Sequence, residues 1–240
     1  SSDVCSSDLI PYLWSQLGCP VYGTAFTLAL LRRKLAETRG DFDIPLIEIG
    51  MNAPVTLGPF EIEAVALNHS IPDPAALAIR CDAGTVLHTG DWKFDATPVL
   101  GQDTDAARLE TIGDAGVLAM VGDSTNAMVP GRTGSETQAR KGLTKAIAAA
   151  TGRVAVTCFA SNVARIESIC AAARANDRAV AVVGRALNRA ISAAREVGYL
   201  ADLPDLVPEG DIDLLPPHSI VIVCTRSEEH TSELQSPCNL

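Results

Sequence analysis

The chain has 240 residues, of which 47% are hydrophobic, 20% charged and only 4% aromatic, and its formal net charge is −10. That length is enough to bury a core without a disulfide framework. No apolar run approaches the roughly 20 residues of a membrane span, so the sequence predicts no membrane-spanning helix. The acidic mean argues against a simple polyanion binder, although an average hides any segregation of charge along the chain.

The sequences of both ends of the chain differ in pattern from the rest. Residues 1–9 and 226–240 have no hydrophobic period. Codons can be chosen for residues 226–234 such that their reverse complement, read one base out of frame, encodes residues 1–9. We therefore expect both ends to be translated sequencing adapter and leave them out of the fold prediction, which rests on residues 10–225.

The first half of this remaining segment is predicted to be rich in strands. The predicted strands include Phe60–Leu67, which alternates polar and apolar residues, and the apolar runs Gly84–Thr89 and Gly116–Val121. His69, Asp91 and Asp123 each follow the end of one of these strands. In layered α/β proteins, ligands and catalysis collect at the C-terminal ends of strands.

The sequence predicts Ser135 as a helix N-cap, and from this residue onwards strands and helices alternate. The predicted helices are Ser135–Ala150, Asn162–Ala175 and Ala186–Val197, and the predicted strands are Val154–Ala160, Ala179–Gly184 and Ser219–Cys224. Such alternation with short loops implies a parallel, right-handed βαβ sheet. The sequence therefore predicts an α/β fold with a domain boundary near residue 131, between a strand-rich part (10–131) and a βαβ part (132–225).

Charge is distributed unevenly along residues 10–225. Residues 10–131 hold 7 bases and 15 acids, residues 132–195 hold 11 bases and 3 acids, and residues 196–225 hold 6 acids and no base. A basic block between two acidic segments favours a surface for a polyanion. The alternative is that its Lys and Arg residues are solvated on amphipathic helices, and the charge pattern alone does not decide.

Five cysteines lie between residues 10 and 225, and none belongs to a CxxC pair. They are Cys19, Cys81, Cys158, Cys170 and Cys224. Their odd number and scatter favour a reducing compartment, the cytoplasm, and argue against a zinc site made of thiolates.

His69 and Asp91 could be two ligands of a hydrolytic metal centre, because imidazole and carboxylate groups suit Zn²⁺ or Mn²⁺. The alternative is that both are ordinary loop or core residues, since two ligands are too few for a site. Asp123 lies in a polar turn and either orients a ligand or caps the turn, and its spacing alone favours the cap. His88 lies within a strand and is predicted to be packed in the core or to support a ligand.

Two turns in the basic block carry residues suited to phosphate. Ser161 and Asn162 open a helix whose N–H groups could bind phosphate, Arg165 adds a guanidinium, and Phe159 could face a base. Arg185 repeats this arrangement at the next strand–helix turn. The alternative is that Ser161 and Asn162 merely cap the helix.

Six motifs carry a resemblance to a known family. In chain order they are PVYGTAFTLALLRRKL (20–35), NHSIPDPAALAI (68–79), GTVLHTGDWKFDATPV (84–99), GDSTNA (122–127), FASNVARI (159–166) and VVGRALNRAI (182–191). Together they resemble ribonuclease J, of the β-CASP group in the metallo-β-lactamase superfamily. The resemblance implies a partial metallo-β-lactamase domain of αββα architecture (10–131), followed by a partial β-CASP domain (132–225). It also implies a metal-dependent ribonuclease with 5′→3′ exonuclease and endonuclease activity in RNA processing and decay.

The resemblance also assigns roles to residues. His69 matches a metal ligand, Asp91 matches the aspartate that bridges two metals, and Asp123 matches a catalytic residue of the first β-CASP motif. The residues that match the RNA- and phosphate-facing turns are Phe159, Ser161, Asn162, Arg165 and Arg185. The implied cofactors are two Zn²⁺ ions, with Mn²⁺ or Mg²⁺ as alternatives. The implied partner of the intact protein is RNA and not a membrane, and its implied state is a homo-oligomer, a dimer or a tetramer.

Two departures from the family bear on activity. The HxHxDH motif that supplies most of the metal ligands, and the later ligand histidines, do not occur in this chain. We therefore expect the chain to be an inactive fragment of a ribonuclease. Two alternatives stay open: a metallo-β-lactamase-fold hydrolase of a small substrate, against which the basic block counts, and a non-enzymatic phosphate- or nucleotide-binding βαβ module.

Overall fold

The computed structural model describes residues 3–38, 43–131 and 133–225. Residues 226–240, predicted to be adapter, lie outside the described residues, as do residues 1 and 2. Residues 3–9, for which the sequence analysis made no structural prediction, form the start of helix α1 (Asp3–Leu17).

The remaining elements alternate between short strands and helices. In the first half they are β1 (Val21–Gly23), α2 (Ala25–Glu37), β2 (Leu46–Glu48), β3 (Val55–Leu57), β4 (Phe60–Ala66), β5 (Ala75–Cys81), β6 (Gly84–Gly90), α3 (Ala106–Ala115) and β7 (Ala119–Gly122). In the second half they are α4 (Glu136–Ala149), β8 (Val154–Cys158), α5 (Val163–Arg174), β9 (Ala179–Val183), α6 (Arg185–Glu196), two 3-10 helices (Glu209–Leu214 and Pro217–Ser219) and β10 (Ile220–Thr225). None of the helices in the described part of the chain combines the length and the apolar character that crossing a membrane requires.

A five-stranded sheet has the order β3-β4-β5-β6-β7. Strands β3 to β6 pair in antiparallel fashion, whereas β7 pairs with β6 in parallel. Strands β4, β6 and β7 therefore point in the same direction, and their C-terminal ends lie at one edge of the sheet. The three strands predicted from the sequence are confirmed, but the third begins at Ala119 rather than Gly116, because Gly116 ends α3 with a φ of 99°.

Strand β4 is buried more completely than its alternating sequence predicts. From Glu63 onwards both of its faces are covered, and the Glu63 side chain itself is only 2% exposed. Arg80 and Arg108 donate to the Glu63 carboxylate, with N–O distances of 2.6 to 2.8 Å. These paired charges allow an acidic residue to sit inside the sheet.

The predicted parallel βαβ sheet is confirmed. Its order is β8-β10-β9, and both pairs are parallel. Ser135 caps α4 as predicted, since its hydroxyl accepts from the Gln138 N–H at 3.1 Å while the Gln138 side chain accepts from the Ser135 N–H. This reciprocal capping fixes where α4 begins.

The largest core joins α2 to the βαβ sheet. Phe26 and Leu30 of α2 are at most 4% exposed and pack with residues from α5, α6 and β10, and Ile71 belongs to the same cluster. Ion pairs from α6 to α2 flank this contact at Arg189–Glu37 and Arg33–Glu196. Residues on both sides of the predicted boundary near residue 131 therefore share one core, which holds the two parts of the chain together.

Candidate active site and nucleic-acid cleft

His69 lies just beyond β4, in a loop that is held by hydrogen bonds before it and by core packing after it. The Asn68 side chain donates to the carbonyl of Gln102 at 2.7 Å and accepts from the Thr104 hydroxyl at 2.9 Å. Ile71, two residues after His69, is 5% exposed and packs in the main core. The Nδ1 atom of His69 lies 3.1 Å from the Ser70 hydroxyl, so Nε2 is the ring nitrogen that remains for a ligand within the described structure.

Three residues that follow parallel strands form what we call the strand-end cluster, namely His69, Asp91 and Asp123. Burial lowers the pKa of His69, and Lys93 acts in the same direction, whereas Asp91 and Asp123 act to raise it. The charges of Asp91 and Asp123 thus act on His69, and the roles of the three residues in a site stay predictions. Because the net shift lowers the pKa of His69, its imidazole is neutral at neutral pH, which is the form that binds metal ions.

Asp123 caps the turn that follows β7, as its spacing predicted. Its Oδ1 accepts from the Thr125 N–H at 2.8 Å and from the Thr125 hydroxyl at 2.6 Å. These hydrogen bonds lower the pKa of Asp123, so the carboxylate is ionised at neutral pH. Capping one oxygen orients the carboxylate, and Oδ2 accepts no hydrogen bond in the described part of the chain. Asp123 can therefore cap the turn through Oδ1 and still present Oδ2 to a ligand.

The loop after β6 links the strand-end cluster to α4. Asp95, 8% exposed, accepts from the Thr97 N–H at 3.0 Å, from the Glu136 N–H at 2.9 Å and from Lys93 Nζ at 3.2 Å. Burial on its own raises the pKa of Asp95, but these hydrogen bonds outweigh it and lower the pKa overall. Asp95 thereby fixes the first turn of α4 against the loop that begins at Asp91.

Arg165, predicted to face RNA, is engaged inside the protein. Its Nε and one terminal nitrogen donate to the two carboxylate oxygens of Glu136, at 2.7 and 3.2 Å, and Glu136 is only 4% exposed. Asn162 caps α5 by accepting from the Arg165 N–H at 2.9 Å, which is the capping alternative that the sequence left open. The role of Arg165 in RNA binding stays a prediction, and its observed contact holds α5 against α4.

The other residues of the predicted phosphate turns are more accessible. Phe159 is 67% exposed at the end of β8, and Ser161 is half-buried in the turn that follows it. Arg185 is exposed at the first position of α6, after Gly184, whose φ of 115° favours glycine. Arg185 has no hydrogen-bond or ion-pair partner among the residues that the structure describes.

Most of the basic block makes contacts within the protein. The structure describes ten of its eleven Lys and Arg residues, and six of these bind acidic side chains or backbone carbonyls. These six are Arg140, Arg153, Arg165, Arg174, Arg178 and Arg189. The four without such a partner in the described residues are Lys141, Lys145, Arg185 and Arg195. Lys141 and Lys145 are both exposed one turn apart on α4, so part of the positive charge does reach the surface.

A cleft of about 1220 Å³ adjoins the strand-end cluster. Asn68 and Asp123 form part of one wall, and the first turn of α4 forms another, with Ser135 and Gln138. Trp92 and Phe94, which the sequence analysis did not single out, also line it. The signal for them was present, since they flank Lys93 directly after a strand-end aspartate in a chain with few aromatic residues.

His88 is not packed in the core, so the prediction of a core position is wrong, whereas its support of a ligand stays a prediction. The residue is exposed, and its Nδ1 accepts from the Gly90 N–H at 3.1 Å. Its partner across the strand pair is Val121, which is 54% exposed on the edge strand β7. Alternation places Leu87 and Thr89 on the covered face of β6, which leaves His88 on a face that the described residues do not cover.

The described residues contain no group of three or more His, Cys, Asp or Glu side chains placed to hold a metal ion. The roles of His69 and Asp91 as metal ligands stay predictions. The five predicted thiols are free, and Cys158 and Cys170 are buried. Burial raises the pKa of each of these two to about 11, so both are protonated at neutral pH.

Comparison with known proteins identifies the C-terminal part of the chain. Residues 151–236 match the family model of the ribonuclease J β-CASP domain. A crystal structure of a protein of unknown function from Enterococcus faecalis superposes with a TM-score of 0.57 at 16% identity. The superposition covers 88% of this chain and 53% of the Enterococcus faecalis chain. At 16% identity the likeness concerns the fold alone.

Similarity to curated proteins extends over most of the chain. Ribonuclease J of Sinorhizobium meliloti is 43% identical over 216 residues, which are 90% of this chain and 38% of that protein. Ribonuclease J of Mycolicibacterium smegmatis is 42% identical over 210 residues, 87% of this chain and 37% of that protein. Ribonuclease J2 of Bacillus subtilis is 36% identical over 218 residues, 90% of this chain and 39% of that protein.

The chain spans a little over a third of the length of the curated relatives that it matches. The resemblance inferred from the six motifs is confirmed by the family model and by these relatives. Residues 151–236 therefore match the β-CASP domain of ribonuclease J, and the chain is similar to ribonuclease J over most of its length.

Proposed function

We propose that this chain is part of a metal-dependent ribonuclease that cleaves RNA endonucleolytically and from the 5′ end. Residues 10–131 form its metallo-β-lactamase part and residues 132–225 its β-CASP part. The observation that carries the proposal is the strand-end cluster, since three parallel strands bring His69, Asp91 and Asp123 to one edge beside a large cleft. The names of the relatives support RNA as the substrate.

The donor set fits a divalent cation. A neutral imidazole and a carboxylate are ligands that Zn²⁺ accepts, and Mn²⁺ or Mg²⁺ are alternatives with more oxygen ligands. His69 would hold the ion through Nε2, and Asp91 would hold it through its carboxylate. When bound, such ions supply a hydroxide nucleophile at neutral pH and stabilise the leaving oxygen. Two ligands are too few for this chemistry, so we infer that catalysis needs further ligands from outside the described residues.

The chain's own side chains have defined tasks in this proposal. Asp123 is ionised and held by Thr125, so it accepts a hydrogen bond from a water or ligand at the cluster and does not act as an acid. Arg185 and the turn at Phe159 and Ser161 contact the RNA backbone and a base. Arg165 acts through its bond to Glu136, which positions the wall of the cleft.

The free thiols are in keeping with a reducing compartment, and we propose the cytoplasm as the site of action. We also propose that the intact protein works as a homo-oligomer, as the family resemblance implies. The alternative of a small-substrate hydrolase is less favoured, because a small molecule does not need a cleft of this size.

The metal-binding part of the proposal is tested by titrating the purified chain with Zn²⁺ and Mn²⁺ in a calorimeter. We expect His69→Ala and Asp91→Ala each to weaken binding by at least about tenfold, since loss even of a residue that only orients a ligand has an effect of this size. The matched control is His88→Ala, because His88 is an exposed histidine on the same sheet but outside the cluster. Metal binding that His69→Ala leaves unchanged would refute the site assignment and favour the non-enzymatic module.

A further inference from the structure

Phe94 is an exposed aromatic ring in the wall of the cleft. It is 60% exposed, although its neighbours Trp92 and Lys93 are half-buried and Asp95 is buried. An exposed phenylalanine contributes little to a core, and aromatic rings exposed beside a functional site are typical of ligand contacts. The location of Phe94 in the wall of the cleft therefore makes it a candidate ligand contact.

The backbone on both sides of Phe94 is fixed. The Lys93 N–H donates to the Asn68 carbonyl at 2.9 Å, and Asp95 accepts the three hydrogen bonds described above. Trp92 packs against the core formed by β4, β5 and α3. The ring of Phe94 meets the ring of Trp92 edge to face, with centroids 5.2 Å apart and planes at 89°. The ring is thus braced and does not have to be ordered when a ligand arrives.

The surroundings of the ring fit a nucleotide. The cleft also presents the amides of Asn126 and Gln138 and the hydroxyl of Ser124, groups that can bond to the edge of a base. Lys141 lies one helical turn beyond Gln138 on α4 and is exposed, so a cation follows the polar wall. An aromatic platform next to polar groups and an exposed cation is the combination that binds single-stranded nucleic acid.

We propose that Phe94, braced by Trp92, stacks on a nucleobase of single-stranded RNA bound in the cleft beside the strand-end cluster. This inference rests on the proposed function and adds a contact that holds the RNA in register with the hydrolytic edge. The stacking is tolerant of sequence because every base presents a π-face. The contact is therefore suited to positioning any RNA and does not select one sequence.

The test uses the full chain and short single-stranded RNAs that carry 2-aminopurine at successive positions. Stacking on an aromatic ring quenches 2-aminopurine, whereas a purely structural role for Phe94 would leave the quenching in place. We expect quenching at one or two positions for the wild type. Phe94→Ala should abolish it and weaken binding by on the order of tenfold. Phe94→Tyr should retain both properties, and Phe94→Leu, which preserves apolar packing on Trp92, should lose the quenching.

The control is Phe60→Ala, because Phe60 is 44% exposed but lies at the opposite end of β4 from His69. It should leave quenching and affinity unchanged. If Phe94→Ala and Phe94→Leu bind and quench like the wild type, the stacking contact is refuted while the proposed function stands. If the wild-type chain binds no RNA at all, the proposed RNA-binding role fails and the stacking contact fails with it.

Discussion

The strand-end cluster and the basic block differ in how their charges are used. Around the strand-end cluster, the buried acids that stabilise the fold are different residues from Asp123 of the cluster. Glu63 and Asp95 are buried and bound by Arg or Lys side chains, whereas Asp123 retains an oxygen without a hydrogen bond in the described residues. In the basic block, arginines both stabilise the fold and remain available for a ligand. Arg165 is paired with Glu136, whereas Arg185 has no partner among the described residues.

This difference shows that the charge of a segment does not give the charge of its surface. The basic block has a large excess of bases in sequence, yet six of its ten described Lys and Arg residues bind partners within the protein. The exposed remainder is concentrated on α4 and α6. An RNA surface on this block therefore depends on a few residues and not on the sum of its charges.

The largest expected effect separates paired from unpaired arginines. Arg165→Met should lower the free energy of unfolding by about 3 kcal/mol, because it leaves the nearly buried carboxylate of Glu136 without its partner. Arg185→Met, the matched control, should stay within about 0.5 kcal/mol because its side chain is exposed. Urea denaturation measures both values. Equal effects of the two substitutions would remove the distinction between structural and available arginines.

A second prediction concerns how the unfolding free energy depends on acidic pH through the buried carboxylate of Glu63. Hydrogen bonds from Arg108, with help from Arg80, lower the pKa of Glu63 from 4.5 to about 2 despite the opposing effect of burial. Since the folded pKa lies below the unfolded one, this stabilisation is complete above about pH 5 and is lost as the pH falls towards 2. The shift corresponds to a contribution of up to about 3 kcal/mol.

The measurement compares the wild type with Glu63→Gln in urea between pH 7 and pH 3. The difference in unfolding free energy should be largest at pH 7 and should shrink steadily below pH 5. The paired variant is Asp123→Asn. Among the described residues the Asp123 carboxylate is bonded only to Thr125, so this substitution should have a much smaller effect on stability. A pH-independent difference for Glu63→Gln would show that its ion pairs do not stabilise the fold.

Local sequence patterns predicted much of the fold. The strand ends beside His69, Asp91 and Asp123 are confirmed, whereas the roles of these residues in a site stay predictions. Ser135 was found because capping depends on neighbours only three residues away. The partners of Asp95 and Arg165 were not predictable in this way. Glu136 lies 41 residues from the first and 29 from the second, and no periodicity encodes such pairs.

The same limit explains why the predicted core position of His88 is wrong. Whether His88 is covered depends on which elements lie over that face of β6, and alternation within the strand gives only the two faces. The packing of α2 on α6 could likewise not be predicted from the sequence, since more than 140 residues separate Glu37 from Arg189. Tertiary contacts of this kind decide which charged residues remain available for function.

A smaller effect is expected for the exposed lysines of α4. The double substitution Lys141→Gln and Lys145→Gln should weaken RNA binding several-fold and reduce the slope of log affinity against log salt by about 1.4, because each single-stranded phosphate contact contributes about 0.7. The matched control is Arg153→Gln with Arg174→Gln, which removes two charges that bind Asp213 and the Asp202 carbonyl. Its salt slope should stay near the wild-type value. A larger change in the control would place the RNA on another face.

The most direct measurement asks whether the strand-end cluster and the RNA surface face one another. Mn²⁺ is paramagnetic and broadens the ³¹P resonances of phosphates that lie near it. In a complex of the chain with 5′-phosphorylated single-stranded RNA, substoichiometric Mn²⁺ should broaden specific ³¹P signals for the wild type and for His88→Ala. The broadening should be largely lost for His69→Ala. Equal broadening for the wild type and His69→Ala would contradict the account, because the metal would then not be held at the cluster beside the bound RNA.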